Sequence, residues 1–208
     1  QIEKKVVPAL LAGCCVVLKP SQYTPLTAYI LAELIDEAGY PAGVFNLVTG
    51  CGPEVGNALA LHPDVRMLSF TGSTAAGREV ARLALSNIKR IALELGGKSA
   101  AILLPGGDWE FGVKAVLDTV VLNAGQTCNA LTRLLVPAAE QEKANEIILN
   151  TLKQYKKGSN ADPESDIGPL SSRRQFDRVK KYIQIGIDEG ATVCPGRMRN
   201  TVSIRPCL

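Results

Sequence analysis

Short apolar runs alternate along this chain with stretches in which apolar residues return every three or four positions, the pattern of strands alternating with amphipathic helices. Val16 to Leu18 reads as a buried strand. Leu26, Ile30, Leu31, Leu34, Ile35 and Ala38 follow at helical spacing, and Gly39 with Pro41 just beyond closes that helix. Val44 to Val48 is the next strand, Pro53 to Leu61 a short helix closed by His62-Pro63, and Met67 to Phe70 a third strand. Thr74 to Leu85 is a helix and Ile88 to Leu93 a fourth strand. This succession of βαβ units predicts an α/β fold with a mainly parallel sheet.

Gly96-Gly97 breaks the pattern, and Ser99 to Leu104 begins a second set of elements. A helix is expected from about Trp109 to Leu122 with Asp108 as its N-cap, then a strand at Leu134 to Val136. Ala144, Ile147, Ile148 and Leu152 mark one face of a helix from about Ala138 to Tyr155. The stretch Gly158 to Pro169, rich in Asp, Gly and Pro, reads as loop. Ser172-Arg173-Arg174-Gln175 forms a capping box that opens a last helix ending near Gly190. A boundary near Leu95 to Gly97 thus separates a domain over 1–95 from one over 96–208. The pattern shows no internal repeat.

Composition narrows the function classes. With 208 residues, 46% of them hydrophobic, the chain can bury a sizeable core. A net charge of +3 from 23 basic and 20 acidic residues is too small and dispersed for a nucleic-acid partner; the only local excess of base is Arg197, Arg199 and Arg205. The longest apolar run, Val6 to Leu18, is interrupted by Pro8 and Gly13 and is too short to span a bilayer, so no membrane segment is expected. No basic-then-apolar leader is visible from Gln1. The six cysteines, Cys14, Cys15, Cys51, Cys128, Cys194 and Cys207, form no C-x-x-C pair, which favours a reducing cytoplasm. Cys14 and Cys15 are expected in the core. With His62 as the one histidine, no His-based zinc site is expected; before Pro63, it reads as a cap or solvent-facing residue.

Two features carry candidate chemistry. A strand feeding Thr71-Gly72-Ser73-Thr74 into a helix offers backbone N–H groups and a positive dipole end to an anion, although an ordinary turn capped by Ser73 or Thr74 would look alike. The glycine-rich turn Gly50 to Gly56 does not match the dinucleotide fingerprint, because Pro53 intrudes. Further on, Glu94-Leu95-Gly96-Gly97-Lys98 and Gly125-Gln126-Thr127-Cys128 set a carboxylate and a thiol in small-residue loops. Covalent acyl chemistry needs that pair: a thiolate attacks an electrophilic carbon, and a carboxylate later deprotonates the water that releases the acyl group. Alone, neither residue is distinctive, since most cysteines are small hydrophobes and most glutamates surface charges. Cys51 also sits in a glycine-rich turn and reads as structural.

Val16-Val17-Leu18-Lys19-Pro20, Gly50 to Gly56, Ser69-Phe70-Thr71-Gly72-Ser73-Thr74-Ala75-Ala76-Gly77, Glu94 to Lys98 and Gly125 to Cys128, in that order, resemble the NAD(P)-dependent aldehyde dehydrogenase superfamily from residue 1 to about 190. The resemblance implies a modified Rossmann cofactor domain followed by part of an α/β catalytic domain. Cofactor contacts would come from Lys19, Gln22, Gly72, Ser73, Thr74, Gly77 and Leu95. Gln22 stands where the family commonly has Glu; a neutral amide does not repel a 2′-phosphate, so the cofactor is NAD or NADP. Cys128 would form a thiohemiacetal with an aldehyde and Glu94 would activate the hydrolytic water, the backbone N–H of Cys128 helping to hold the oxyanion. Lys98 and Arg133 would be structural. The partner implied is a small aldehyde, in an enzyme that is a homo-oligomer when complete. The family's Trp-Asn-Phe-Pro and Glu-x-Phe-Gly-Pro segments would fall outside 1–208, so the chain is expected to be a central fragment, inactive alone. From Pro195 the match decays to a vague likeness at Ser203-Ile204-Arg205-Pro206. The alternative is a remnant of the same fold that binds cofactor or a partner without turnover.

Overall fold

The structure, a computed structural model, describes residues 2–192; Cys194, Cys207, the basic tail and the segment of vague family likeness at 203–206 lie outside the described residues. The chain divides into two compact units, Gln1–Leu95 and Gly96–Leu208.

In the first unit, helix α1 (Glu3–Leu11) buries Val6 and ends at Gly13, whose φ of 75° is the left-handed conformation that glycine adopts without a Cβ clash. Strand β1 (Val16–Leu18) then pairs in parallel with β2 (Phe45–Leu47) through the crossover helix α2 (Leu26–Glu37). A second parallel pair joins β3 (Met67–Thr71) to β4 (Arg90–Glu94) through α4 (Thr74–Leu85), with Met67 opposite Arg90 and Thr71 opposite Glu94. Short α3 (Asn57–Leu61) packs on α4, and Ala60 and Ala84 are both completely buried. Lys89 is also buried; its ammonium donates to the carbonyls of His62 and Val65, so its charge is hydrogen-bonded rather than stranded.

The second unit pairs β5 (Ala100–Ile102) in parallel with β6 (Arg133–Leu135). Helix α5 (Trp109–Val121) lies between them in sequence and packs on α6 (Gln141–Leu152), burying Trp109, Val113, Val116, Leu117 and Ala144. Asp108 caps α5 by accepting from the Phe111 N–H at 3.0 Å, and the Trp109 indole donates to the Leu104 carbonyl at 3.1 Å. The Tyr155 hydroxyl, just past α6, donates to Asp118 of α5 at 2.6 Å. Helix α7 (Arg173–Asp188) begins at Ser172, whose hydroxyl accepts from Gln175 N–H, and buries Phe176.

Several expectations need correction. Helix α1 was not among the elements the pattern predicted, because Pro8 interrupts its run; its remaining carbonyls are taken up beyond the helix end, Pro8 O by Ala12 N–H and Ala9 O by Cys14 N–H. Cys14 and Cys15 are exposed, not core, because they occupy the turn after Gly13. The expected Pro53 to Leu61 helix is a wide turn over Gly52–Gly56 followed by α3. The last strand of the first unit begins at Arg90, not Ile88, whose φ of 51° places it in a turn, and runs to Glu94. On α2 the expected apolar face is only partly covered: Ala28 is buried, whereas Leu26, Ile30 and Leu34 are exposed. The parallel strands form three separate pairs rather than one continuous sheet among the described residues. No helix there is long and apolar enough to cross a membrane.

Candidate active site

The first unit brings its candidate residues to the C-terminal edge of β3 and β4. Thr71, the last residue of β3, pairs with Glu94, and the next N–H, that of Gly72, donates to the Glu94 carbonyl at 3.0 Å. A Cβ at Gly72 would stand 2.5 Å from Phe70 Cζ, so any larger residue there would have to displace that ring. Ser73 is the N-cap of α4: its hydroxyl accepts from Ala76 N–H at 3.2 Å and its carbonyl from Gly77 N–H at 2.8 Å. The N–H groups of Thr74 and Ala75 precede the first intrahelical bond and are free to meet an anion. Gly77 is buried, and a Cβ there would lie 2.6 Å from Leu95 Cδ2, so the absence of a side chain lets α4 sit against Leu95.

Lys19 follows β1, with its ammonium donating to Pro20 O at 2.8 Å and Gly50 O at 3.2 Å. These bonds join the residue to the glycine-rich turn that starts at Gly50. Gln22 is exposed in the turn between β1 and α2. Glu94 is exposed at the end of β4, a strand terminus rather than the loop the sequence implied.

One residue absent from the sequence reading belongs here. Lys5 projects from α1 and donates to Ser69 Oγ of β3 at 2.9 Å. Burial pushes its ammonium below the ordinary lysine range, and the negative charge of Glu94 opposes that shift. Its signal in the sequence was one turn of helical spacing, Ile2 to Val6, cut short by Pro8.

In the second unit Cys128 is exposed on the loop between α5 and β6. The loop opens with a tight turn in which Asn123, Ala124 and Gly125 all have positive φ, 52°, 54° and 78°. Thr127 Oγ1 donates to Leu122 O at 3.1 Å, and buried Ala130 anchors the far side. Gly97 runs alongside: a Cβ there would be 3.3 Å from the Cys128 carbonyl oxygen. Arg133 Nε donates to Lys98 O at 2.7 Å, a bond that ties the two segments together and gives both residues a structural place. Cys51 is half-buried beside the wide turn, and the His62 ring accepts from Asp64 N–H at 3.3 Å. Among the described residues no three His, Cys, Asp or Glu side chains gather as a metal site.

The model of the aldehyde dehydrogenase family matches residues 1–208. Among curated proteins, 3-succinoylsemialdehyde-pyridine dehydrogenase of a Pseudomonas species is 48% identical over 197 residues, which are 94% of this chain and 41% of that protein. A putative aldehyde dehydrogenase of Staphylococcus saprophyticus is 44% identical over 196 residues, again 94% and 41%. Among solved structures, a mutant of Aldehyde Dehydrogenase C from Pseudomonas syringae in complex with NAD+ and octanal superposes with a TM-score of 0.90 at 45% identity, covering 95% of this chain and 41% of that one. Betaine aldehyde dehydrogenase of Staphylococcus aureus, as a double mutant with NAD+ and a BME-modified cysteine, gives a TM-score of 0.90 at 37% identity over 93% and 39%. The chain therefore spans about two-fifths of the length of these relatives and carries that part of their fold. It belongs to the aldehyde dehydrogenase family.

Proposed function

We propose that this chain supplies the nucleophile, the general base and the phosphate-binding turn of an enzyme that oxidises an aldehyde to a carboxylic acid with NAD(P)+. The observation that carries the reading is the β3–β4 edge, where one hydrogen bond from Gly72 N–H to Glu94 O fixes an anion-accepting helix terminus beside a carboxylate. The cradle suits a dinucleotide phosphate: Gly72 and Gly77 leave no room for a Cβ, and the Thr74 and Ala75 N–H groups point outward at the positive end of α4. Lys19 and Gln22 would face the adenine ribose and Leu95 would border the cofactor. A neutral Gln22 is compatible with NAD and with NADP.

In this reading the Cys128 thiolate adds to the aldehyde carbon, a C–S bond forms, and the carbonyl electrons move to oxygen, where the Cys128 N–H stabilises them. NAD(P)+, held by the turn at Gly72 to Gly77, would supply the hydride acceptor, and Cys128 would be left carrying a thioester. Glu94 then takes a proton from water as its oxygen bonds to the acyl carbon, the C–S bond breaks, and the carboxylic acid leaves with the thiolate restored. Separate oxidation and hydrolysis explain why one reaction needs both a soft nucleophile and a general base. A mutant neighbour binds octanal with NAD+, and another neighbour has a thiol that accepted a BME adduct; both facts support a small aldehyde as substrate and a reactive cysteine as nucleophile. The complete enzyme would be a cytoplasmic homo-oligomer, with the boundary between cofactor and catalytic domains falling in the chain near Leu95 to Gly97.

The test is Cys128→Ala in the complete enzyme. Aldehyde oxidation is expected to fall to background while cofactor affinity stays within about twofold, because the thiol acts after the cofactor site is formed. Substantial remaining dehydrogenase activity would refute the assignment.

A further inference from the structure

The loop that carries Cys128 has an unusual backbone, and one of the side chains that hold it reaches outside the loop. Three successive residues, Asn123, Ala124 and Gly125, are left-handed, and two of them bear a Cβ, so the turn would relax unless other groups hold it. Gln126 does so from both ends of its carboxamide. Its Nε2 donates to Asn123 O at 3.0 Å, beside a backbone bond from Gln126 N–H to the same oxygen at 3.1 Å. Its Oε1 accepts from the Ser171 N–H at 3.0 Å, 45 residues away and immediately before the N-cap of α7. Asn123 Nδ2 returns a bond to Gln126 O at 3.3 Å. A carboxamide carries both a donor and an acceptor whatever the pH; an ionised Glu keeps the acceptor and loses the donor, and Met supplies no comparable pair.

We propose that Gln126 is the positioning residue of the nucleophile loop: it clamps the left-handed turn to the segment entering α7 and so fixes where the Cys128 thiol and N–H stand. This rests on the reading of Cys128 as nucleophile. The loop around Gln126 buries little apolar area, since Thr127 is half-buried and Cys128 exposed, so the clamp acts on geometry more than on global stability. The segment 156–171 and α7 thereby become levers on the nucleophile, because their displacement pulls on Ser171 and through it on the turn.

The experiment uses the complete enzyme carrying Q126M or Q126E. Iodoacetamide alkylation of Cys128 is followed by peptide mass spectrometry across neutral to alkaline pH, with Cys51 as internal control, alongside amide exchange at Ser171 and thermal melting. For Q126M, exchange at Ser171 is expected to rise on the order of tenfold as its acceptor is lost. The rate of Cys128 alkylation should change at least about threefold while that of Cys51 and the melting temperature hold, since the thiol's reactivity follows its local donors. Q126E should restore protection at Ser171 without restoring the alkylation profile of Cys128. Should Q126M not fold, Q126E alone decides by that same split. Unaltered Ser171 exchange in Q126M, or an unaltered Cys128 profile in whichever variant folds, would overturn the proposal. A shifted Cys128 profile together with turnover that survives Cys128→Ala would instead overturn the assignment of the nucleophile and leave the clamp standing.

Discussion

A methyl group at position 77 would meet Leu95, one at position 72 would meet Phe70, and one at position 97 would press on the Cys128 carbonyl. The three glycines are therefore matters of fit rather than of backbone freedom, and a sequence shows such glycines without showing what they touch. Ala124 has the opposite character: its positive φ costs about 1 to 2 kcal/mol in a residue with a Cβ, a strain that nothing in the sequence announces. Glu94 and Cys128 stood out in the sequence only through their place among the family's motifs, since an acid or a thiol alone is not distinctive. Lys5 was not legible, because its meaning lies in a contact with β3 made from a helix that Pro8 obscures. The pairing of Lys5 and Glu94 can be tested directly. Glu94's charge opposes the fall in the Lys5 pKa, so Glu94→Gln should lower that pKa further, and deprotonation of Lys5 should then occur at lower pH. A folded pKa below the unfolded value means that this lysine favours the folded state as pH rises through the window between the two, and the substitution widens that window downward. Titration of the Lys5 Cε resonance measures the shift; an unmoved value would contradict the proximity.

The elements followed the pattern of apolar residues where each had one face to bury. Strands β1, β3 and β6, helices α4 and α5, and the caps Ser73, Asp108 and Ser172 lie where periodicity and cap chemistry put them, within a residue or two. The misreadings came from turns whose geometry depends on neighbours. Ile88 turns left-handed where buried Lys89 reaches back to the carbonyls of His62 and Val65. The first turn of α4 separates a capping role for Ser73 from an anion-binding one. Ser73→Ala removes the acceptor for Ala76 N–H and should cost about 1 kcal/mol in thermal stability. Ser73→Asp keeps the cap and adds a charge favourable to the helix dipole, yet places an anion against the expected pyrophosphate. Melting and cofactor titration should therefore diverge: Ser73→Asp stable but weak in NAD binding by about tenfold, Ser73→Ala less stable with a smaller binding loss. Equal cofactor affinity in Ser73→Asp and the parent would remove the phosphates from this turn.

At the scale of the molecule, the two units are small and openly built. Their strands form two-stranded pairs, and large apolar side chains stand exposed, among them Leu11 at 81%, Leu26 at 74% and Phe111 at 73%. Unpaired strand edges and contiguous apolar faces promote association, so residues 1–208 on their own should sediment or scatter as oligomers rather than as a 22.1 kDa monomer. A single monomeric species at all concentrations would contradict this. The α/β class and the two-part division were readable because helical and strand periods alternate and then break at Gly96-Gly97. How far each apolar face is covered was not readable, since spacing identifies a face and not its partner; α2 is the case in point, with Leu26, Ile30 and Leu34 left in solvent. The central claim, a covalent acyl-enzyme on Cys128 released by Glu94, is tested most directly by mass spectrometry of the complete enzyme carrying Glu94→Gln, quenched after mixing with a short aldehyde and oxidised cofactor. An adduct of the acyl mass is expected on the Cys128 peptide, formed only with oxidised cofactor and in step with a burst of about one reduced cofactor per active site. An adduct on another residue, or steady turnover with Cys128 unmodified, would contradict it.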